Sequence, residues 1–231
     1  MRTRGPVLLL AVALLAGCGG SGGKSGSTSN GEASKPATKV LADAKSAAVG
    51  ASSLHVSGSI DSGGTPTSLD LSLVKNKGAT GSMSTSGFRF DLIRIGNTVY
   101  IRGSDAFLKH FAGSAASIFH GRWLKASAKS GGFASLTPLT TPSTLFGAIA
   151  NSHGKLVNGG LTTYKGQQVV EIRDTSDNSK LYVAATGTAY PVAIVGGKGG
   201  ASGAITFGDW NQSVSLSTPK GAIDLSTLGA G

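Results

Sequence analysis

The groups able to do chemistry are few: one cysteine, four histidines and eleven carboxylates in 231 residues. Some of them fall into catalytic spellings. Ser72-Leu73-Val74-Lys75, Ser176-Asp177-Asn178 and Lys129-Ser130-Gly131 match the three loose elements of penicillin-recognising enzymes. That chemistry needs its serine and lysine at the start of a buried helix, with the three elements in chain order. Here the serine lies in an alternating, strand-like run, and the lysine–serine–glycine comes before the Ser-Asp-Asn. Gly19-Gly20-Ser21-Gly22-Gly23 has the spacing of a nucleophile elbow, and Gly17 to Gly22 that of a dinucleotide fingerprint. Both sit in a Gly/Ser run with neither the strand nor the helix those motifs require. His55, His110, His120 and His153 show no two-in-one-turn spacing of the kind that holds zinc. Glu171 alternates with Arg173, and Asp91 with Arg89, which suits cross-strand ion pairs better than acid–base work. The residues point to no enzyme, no metal centre and no cofactor.

The cysteine is different. Met1-Arg2-Thr3-Arg4 is a cationic head, residues 7–15 are almost purely apolar, and Leu15-Ala16-Gly17-Cys18 follows at once. A short basic start, an apolar run of this length and small residues at its end describe a secretory signal, too short to span a bilayer. Leu15, Ala16, Gly17 and Cys18 resemble a bacterial lipobox, in which small side chains admit the peptidase and the cysteine thiol receives a diacylglyceryl group. Residues 1–17 are therefore expected to be a lipoprotein signal peptide, and Cys18 the lipid-attachment site. Two acyl chains anchor stably where one binds marginally. The protein is expected on the outer face of a bacterial cell membrane. Residues 18–36, rich in glycine and serine, read as a tether with an r.m.s. span of roughly 24 Å. Loss of Arg2 and Arg4 would take the formal charge from +10 to +8. The remaining bases are scattered and form no stripe of the kind nucleic-acid binders use.

What must position any site is a β-rich domain over residues 37–231. The 36 glycines amount to about 16% against roughly 7% in an average protein. That disfavours helical bundles, since glycine costs about 1 kcal/mol per interior helical position. A helix is predicted over 36–51, where Pro36 suits the first turn and Gly50 the end. The period then changes to two: Leu54, Val56 and Ile60; Leu69, Leu71 and Leu73; Phe88, Phe90 and Leu92. Ile93 and Ile95 fall out of phase with that last run, which predicts a bulge near Leu92. Phe107, Leu108, Phe111, Ile118 and Phe119 recur at helical spacing and predict one helix over 105–119. Residues 121–142, containing Trp123, read as irregular, and 143–150, containing Phe146, as a short helix. Strands resume at 155–164, 167–174, 180–185, 189–195, 201–210 and 214–217. Val170 and Ile172, Leu181 and Val183, Val192 and Ile194, and Ile205 and Phe207 mark one face of them. The fold class is thus α+β: a large curved antiparallel sheet of about ten or eleven strands, apolar on one face, wrapped over the N-terminal helix and a central helical lid.

The order of these pieces carries a resemblance. The lipobox and tether lead through an Ala-rich helix into "SSLHVSGSI"; after the helical middle come "YKGQQVVEIRD", "KLYVAATGTAYPVAI" and "ITFGDWNQSVSLSTPKGAIDL". Together they resemble the LppX/LprG-type lipoproteins of mycobacteria, whose half-barrel fold is similar to that of the lipoprotein carrier LolA. The resemblance covers about residues 36–228 and implies a domain that holds lipid or glycolipid acyl chains in an apolar cavity and hands them on. The partners it implies are the membrane, through lipidated Cys18, an envelope lipid, and an envelope transporter or acceptor protein. The candidate cavity residues are Leu54, Val56, Leu71, Leu73, Phe88, Phe90 and Leu92 of the first strands, Phe107, Phe111, Phe119, Trp123 and Phe146 of the middle, and Val170, Ile172, Leu181, Val183, Val192, Ile194, Ile205 and Phe207 of the later strands. On pattern alone these side chains either line a cavity or fill a core. In the second case the same fold is an envelope scaffold or sensory lipoprotein without lipid cargo.

Overall fold

The computed structural model describes residues 28–129, 131–197 and 201–228. The lipobox, Cys18 and most of the expected tether lie outside the described residues. The tether's last residues, expected to be free, are docked. Ser29 bridges Thr186, Asn30 Nδ2 donates to the Ala184 carbonyl at 2.8 Å, and Glu32 is buried. Lys35 Nζ holds Glu32 and Asp43, each at 2.7 Å, so this segment is clamped to the helix that follows.

That helix, α1 (Ala37–Gly50), buries Ala37, Val40, Leu41, Ala44 and Ala48, a stripe at spacings of three and four. Five strands follow as a meander: β1 (Ser53–Ser62), β2 (Thr65–Val74), β3 (Gly78–Thr85), β4 (Phe88–Ile95) and β5 (Thr98–Gly103). The insert carries α2 (Asp105–Ala112), α3 (Ala116–Phe119), β6 (Leu124–Ser127) and α4 (Pro142–Asn151). A second meander comprises β7 (Leu156–Tyr164), β8 (Gln167–Asp174), β9 (Lys180–Ala184), β10 (Pro191–Val195) and β11 (Ser202–Gly208), before the short β12 (Ile223–Asp224). All twelve strands form one open curved sheet in the order β12-β6-β5-β4-β3-β2-β1-β11-β10-β9-β8-β7. The meanders join where β11 pairs antiparallel with β1, Gly208 opposite His55 through Ser202 opposite Asp61. Only β12–β6 is parallel.

Several sequence expectations need correction. The bulge near Leu92 is absent: β3 and β4 pair without a shift from Gly78–Ile95 to Thr85–Phe88. Ile93 and Ile95 instead lie on the outer face, where Ile93 is the ladder partner of buried Tyr100. The shifts in register fall at Asn158/Gly160 and at Pro191/Ala193. The single helix over 105–119 breaks at Gly113, whose φ of 54° no ordinary helix accepts. Residues 214–217 pair with nothing as a strand, while part of the stretch read as irregular becomes β6.

The helices sit against the inner face. Leu54, Val56, Leu71, Leu73, Phe90, Leu92, Ile205 and Phe207 from the strands pack with Ala48 of α1 and Phe146 of α4. Beside them, Val40 and Ala44 of α1 cover Val170, Ile172 and Val183 of β8 and β9. A third cluster, Leu108, Phe119 and Leu124, ties α2 and α3 to β6.

Strong curvature draws neighbouring backbones together, and Gly81 on β3 is where this is most legible. Its φ is +148°, and a Cβ there would lie 2.0 Å from the Asp70 carbonyl oxygen of β2. Gly81→Ala is expected to destabilise the domain by about 1–3 kcal/mol through backbone strain. Gly50→Ala, at the open end of α1 with nothing near its Cβ, is expected to be neutral or stabilising by up to about 1 kcal/mol. Urea unfolding midpoints of the two variants check both.

Candidate functional site

The concave face is covered unevenly. Over β1–β5 and β11 it is filled, with Leu54, Leu71, Leu73 and Leu92 at most 1% exposed. Over β8–β10 the covering surfaces are smaller: the Ala-rich stripe of α1 and the C-terminal turn of α4. A cleft of about 340 Å³ remains there. Leu41 of α1, Ala148 and Ile149 of α4, Leu156 of β7, Ile172 of β8, Leu181 of β9 and Ile194 of β10 form its apolar wall. Leu181 and Ile194 are interior-facing yet only partly buried, because the gap lies against them. Ser152, His153, Asp174, Ser179 and Lys180 make the rim.

The rim is pre-organised by local turn chemistry. Asp174 ends β8 and accepts from the Ser176 hydroxyl at 2.5 Å, the Ser176 N–H at 2.8 Å and the Gly154 N–H at 2.5 Å. Those bonds, the Ser176 hydroxyl foremost, hold its carboxyl below the usual carboxylate range. His153 Nδ1 lies 2.8 Å from the Gly154 carbonyl oxygen. Lys180 pairs with Glu171 at 2.9 Å across β8 and β9, and this contact raises the lysine's pKa.

Of the candidate cavity residues, Ile172, Leu181 and Ile194 line this cleft. Leu54, Val56, Leu71, Leu73, Phe90, Leu92, Phe146, Ile205 and Phe207 belong to the filled core. Val170 and Val183 lie under α1, away from the opening. Val192 falls at the register shift of β10 and is half-buried. Phe119 packs with Leu108 under α2 and α3. Phe107 stacks between Phe90 and Phe111, at 5.2 and 4.5 Å. Phe88 stacks on His110 at 4.7 Å. Trp123 lies under the Arg102 guanidinium at 4.9 Å. Phe111 is 68% exposed and Ile118 66%, so this part of the insert presents apolar surface to solvent. The sequence reading missed Leu41, Ala148, Ile149 and Leu156; the small residues of α1 and α4 were the available signal.

A second depression, at the start of α2, is lined by Arg89 and by two pairs of polar side chains. Arg102 meets Asp91 at 2.7 Å, and His120 meets Asp105 at 2.6 Å. On the outer face Ser72 is the ladder partner of His55. Both imidazole nitrogens of His55 are turned to carboxylates, Asp70 at 2.8 Å and Asp209 at 3.9 Å, which leaves Ser72 without a base. Among the described residues no group of three or more His, Cys, Asp or Glu is placed to hold a metal ion. No described helix is long and apolar enough to cross a membrane.

Fold and cleft define an α+β class in which an open curved sheet cups helices and a small apolar space is left between the layers. Solved structures of this kind are known. LprF from Mycobacterium bovis superposes with a TM-score of 0.56 at 16% identity, over 80% of this chain and 97% of LprF. The lipoprotein LppX from Mycobacterium tuberculosis does so with a TM-score of 0.51 at 14% identity, over 78% of this chain and 98% of LppX. The likeness establishes a common fold, the one implied by the order of elements along the chain. Neither a protein-family model nor a curated protein matches the sequence.

The depressed pKa of Asp174 fixes the sign of one pH effect. Its ionised form is favoured by folding, so the stabilisation is present above the unfolded carboxylate value of 3.8 and lost as pH falls through the lower folded value. Wild type is expected to melt higher than Asp174→Asn above pH 4, and the gap between them should close as pH falls through the lowered folded value in a calorimetric series.

Proposed function

We propose that this protein is an exported lipoprotein that binds an acyl chain of an envelope lipid or glycolipid and carries or transfers it. In this reading residues 1–17 are the signal peptide. Acylated Cys18 anchors the mature chain to the outer face of a bacterial membrane, and the domain from residue 37 is a binding module without enzymatic activity. The observation that carries the reading is the apolar cleft between α1, α4 and β8–β10. Its size falls within the range of small-molecule sites, about 300–1,000 Å³, and its wall is aliphatic. Sheltering hydrocarbon is worth roughly 25 cal/mol per Å², so even a short sequestered segment offsets part of the cost of leaving a bilayer. The shared fold with a known lipoprotein, LppX, agrees with export and anchoring. An envelope transporter or acceptor would complete the transfer.

The filled half of the sheet favours keeping a second reading: a scaffold or sensory lipoprotein whose exposed Phe111 and Ile118 meet an envelope protein. Vesicle-to-vesicle transfer of a fluorescent acyl lipid separates the two. The carrier is expected to transfer, Leu181→Arg to lose at least tenfold in rate with an unchanged circular dichroism spectrum, and Phe111→Ser/Ile118→Ser to keep the wild-type rate. A wild-type protein that moves no lipid sinks the carrier reading. Anchoring is tested separately: Cys18→Ala is expected to move the protein from the membrane to the soluble fraction and to abolish palmitate labelling.

A further inference from the structure

Building on the acyl-binding reading above, we propose that the cleft takes a single acyl chain bearing an uncharged hydroxylated head of the monoacylglycerol kind. Diacyl lipids and free fatty acids are disfavoured. Three observations on the cleft converge on this class.

The first is size. The cleft's volume of about 340 Å³ lies at the low end of the roughly 300–1,000 Å³ spanned by small-molecule sites, which suits one acyl chain better than two. The space cannot simply extend along the sheet, because the neighbouring inner face is closed by Leu54, Leu71 and Leu73, each at most 1% exposed. The second is the division of the lining. Leu41, Ile149, Leu156, Ile172, Leu181 and Ile194 give one continuous aliphatic wall, whereas Ser152, His153, Asp174 and Lys180 stand together at the rim. An amphiphile with one tail and one compact head matches that two-part surface.

The third is the charge at the rim. Lys180 is already held by Glu171 at 2.9 Å. Asp174 is 6% exposed and takes its hydrogen bonds from neutral donors, Ser176 and Gly154. Among the described residues no Lys or Arg pairs with it, while the His153 imidazole beside it interacts favourably with its charge, so the charge without a salt-bridge partner at the rim is the carboxylate's. A carboxylate or phosphate head would meet that charge at close range in partly desolvated surroundings, where like charges repel most. A hydroxyl head has the opposite fit. It can donate to Asp174, and to His153 Nε2 once the Gly154 carbonyl has fixed the ring proton on Nδ1 at 2.8 Å. It can accept from the Ser152 hydroxyl.

The test is equilibrium binding of the full-length protein to 1-monolauroylglycerol, laurate and 1,2-dilauroylglycerol, followed by native mass spectrometry in neutral volatile buffer. The expected result is one monolauroylglycerol per chain, bound at least tenfold tighter than either of the others. In a monoacylglycerol series affinity should climb roughly fourfold per added methylene and level off before eighteen carbons. Ile149→Trp, which projects a large ring into the wall, should abolish binding with the fold retained. The wild-type comparison stands without that variant. Diacylglycerol or laurate binding as tightly as the monoacylglycerol, or affinity still climbing steadily to eighteen carbons, overturns this inference and leaves the carrier reading intact. No binding of any of the three probes removes both.

Discussion

One constraint organises the molecule: a mostly antiparallel sheet of twelve strands has one apolar face, and that face must be covered without a second sheet. Two helices of modest size do the covering, and they do it unequally. Above β1–β5 and β11, large strand side chains meet Phe146 of α4 and close the interior. Above β8–β10 the cover is the alanine stripe of α1, which packs tightly over Val170 and Val183 and falls short further along. The cleft exists because the filling side chains are distributed unevenly along the sheet.

The remaining polar groups serve to hold that arrangement. Ion pairs between neighbouring strands, Asp91 with Arg102 and Glu171 with Lys180, are partly exposed to water and each contributes little alone. Arg94 is more telling. Its Nη2 donates to the Thr140 carbonyl at 2.7 Å and the Thr141 hydroxyl at 3.0 Å, so it fastens the segment leading into α4 to the end of β4. Burial lowers its pKa, and the bonds to neutral oxygens offset part of that desolvation. At the other end Lys35 clamps the first described residues to α1. The helices are thus fastened at two places, the approach to α4 and the start of α1.

Much of this was legible in order of residues. Alternation placed β1, β2, β4, β8 and β9 closely, because a half-buried strand can hide its apolar side chains only every second residue. The same logic misled at Ile93 and Ile95, where outer-face apolar residues next to Tyr100 imitate a phase change. Helical spacing likewise ran through Gly113, since a pattern of apolar positions does not register that one backbone torsion has turned positive. At the cleft, Ile172, Leu181 and Ile194 were anticipated, being inward on their strands; Leu41, Ile149 and Leu156 were not. Nothing about Leu41 distinguishes it from Val40 until the helix is docked.

By itself the amino-acid order determined the local periodicities, the α+β class, an expected leader of residues 1–17 ahead of Cys18 and the lack of a catalytic spelling that its context could support. Those are properties of near neighbours along a chain, set by hydrogen bonding and by which face each side chain takes. Whether an apolar residue fills or lines was decided only by the tertiary structure. That depends on how much volume arrives from elements far away in the chain, and on the angle at which two helices cross a curved sheet. Phe90 and Leu181 both alternate correctly on their strands; one is sealed beneath Phe107 and the core around it, and the other faces an open space.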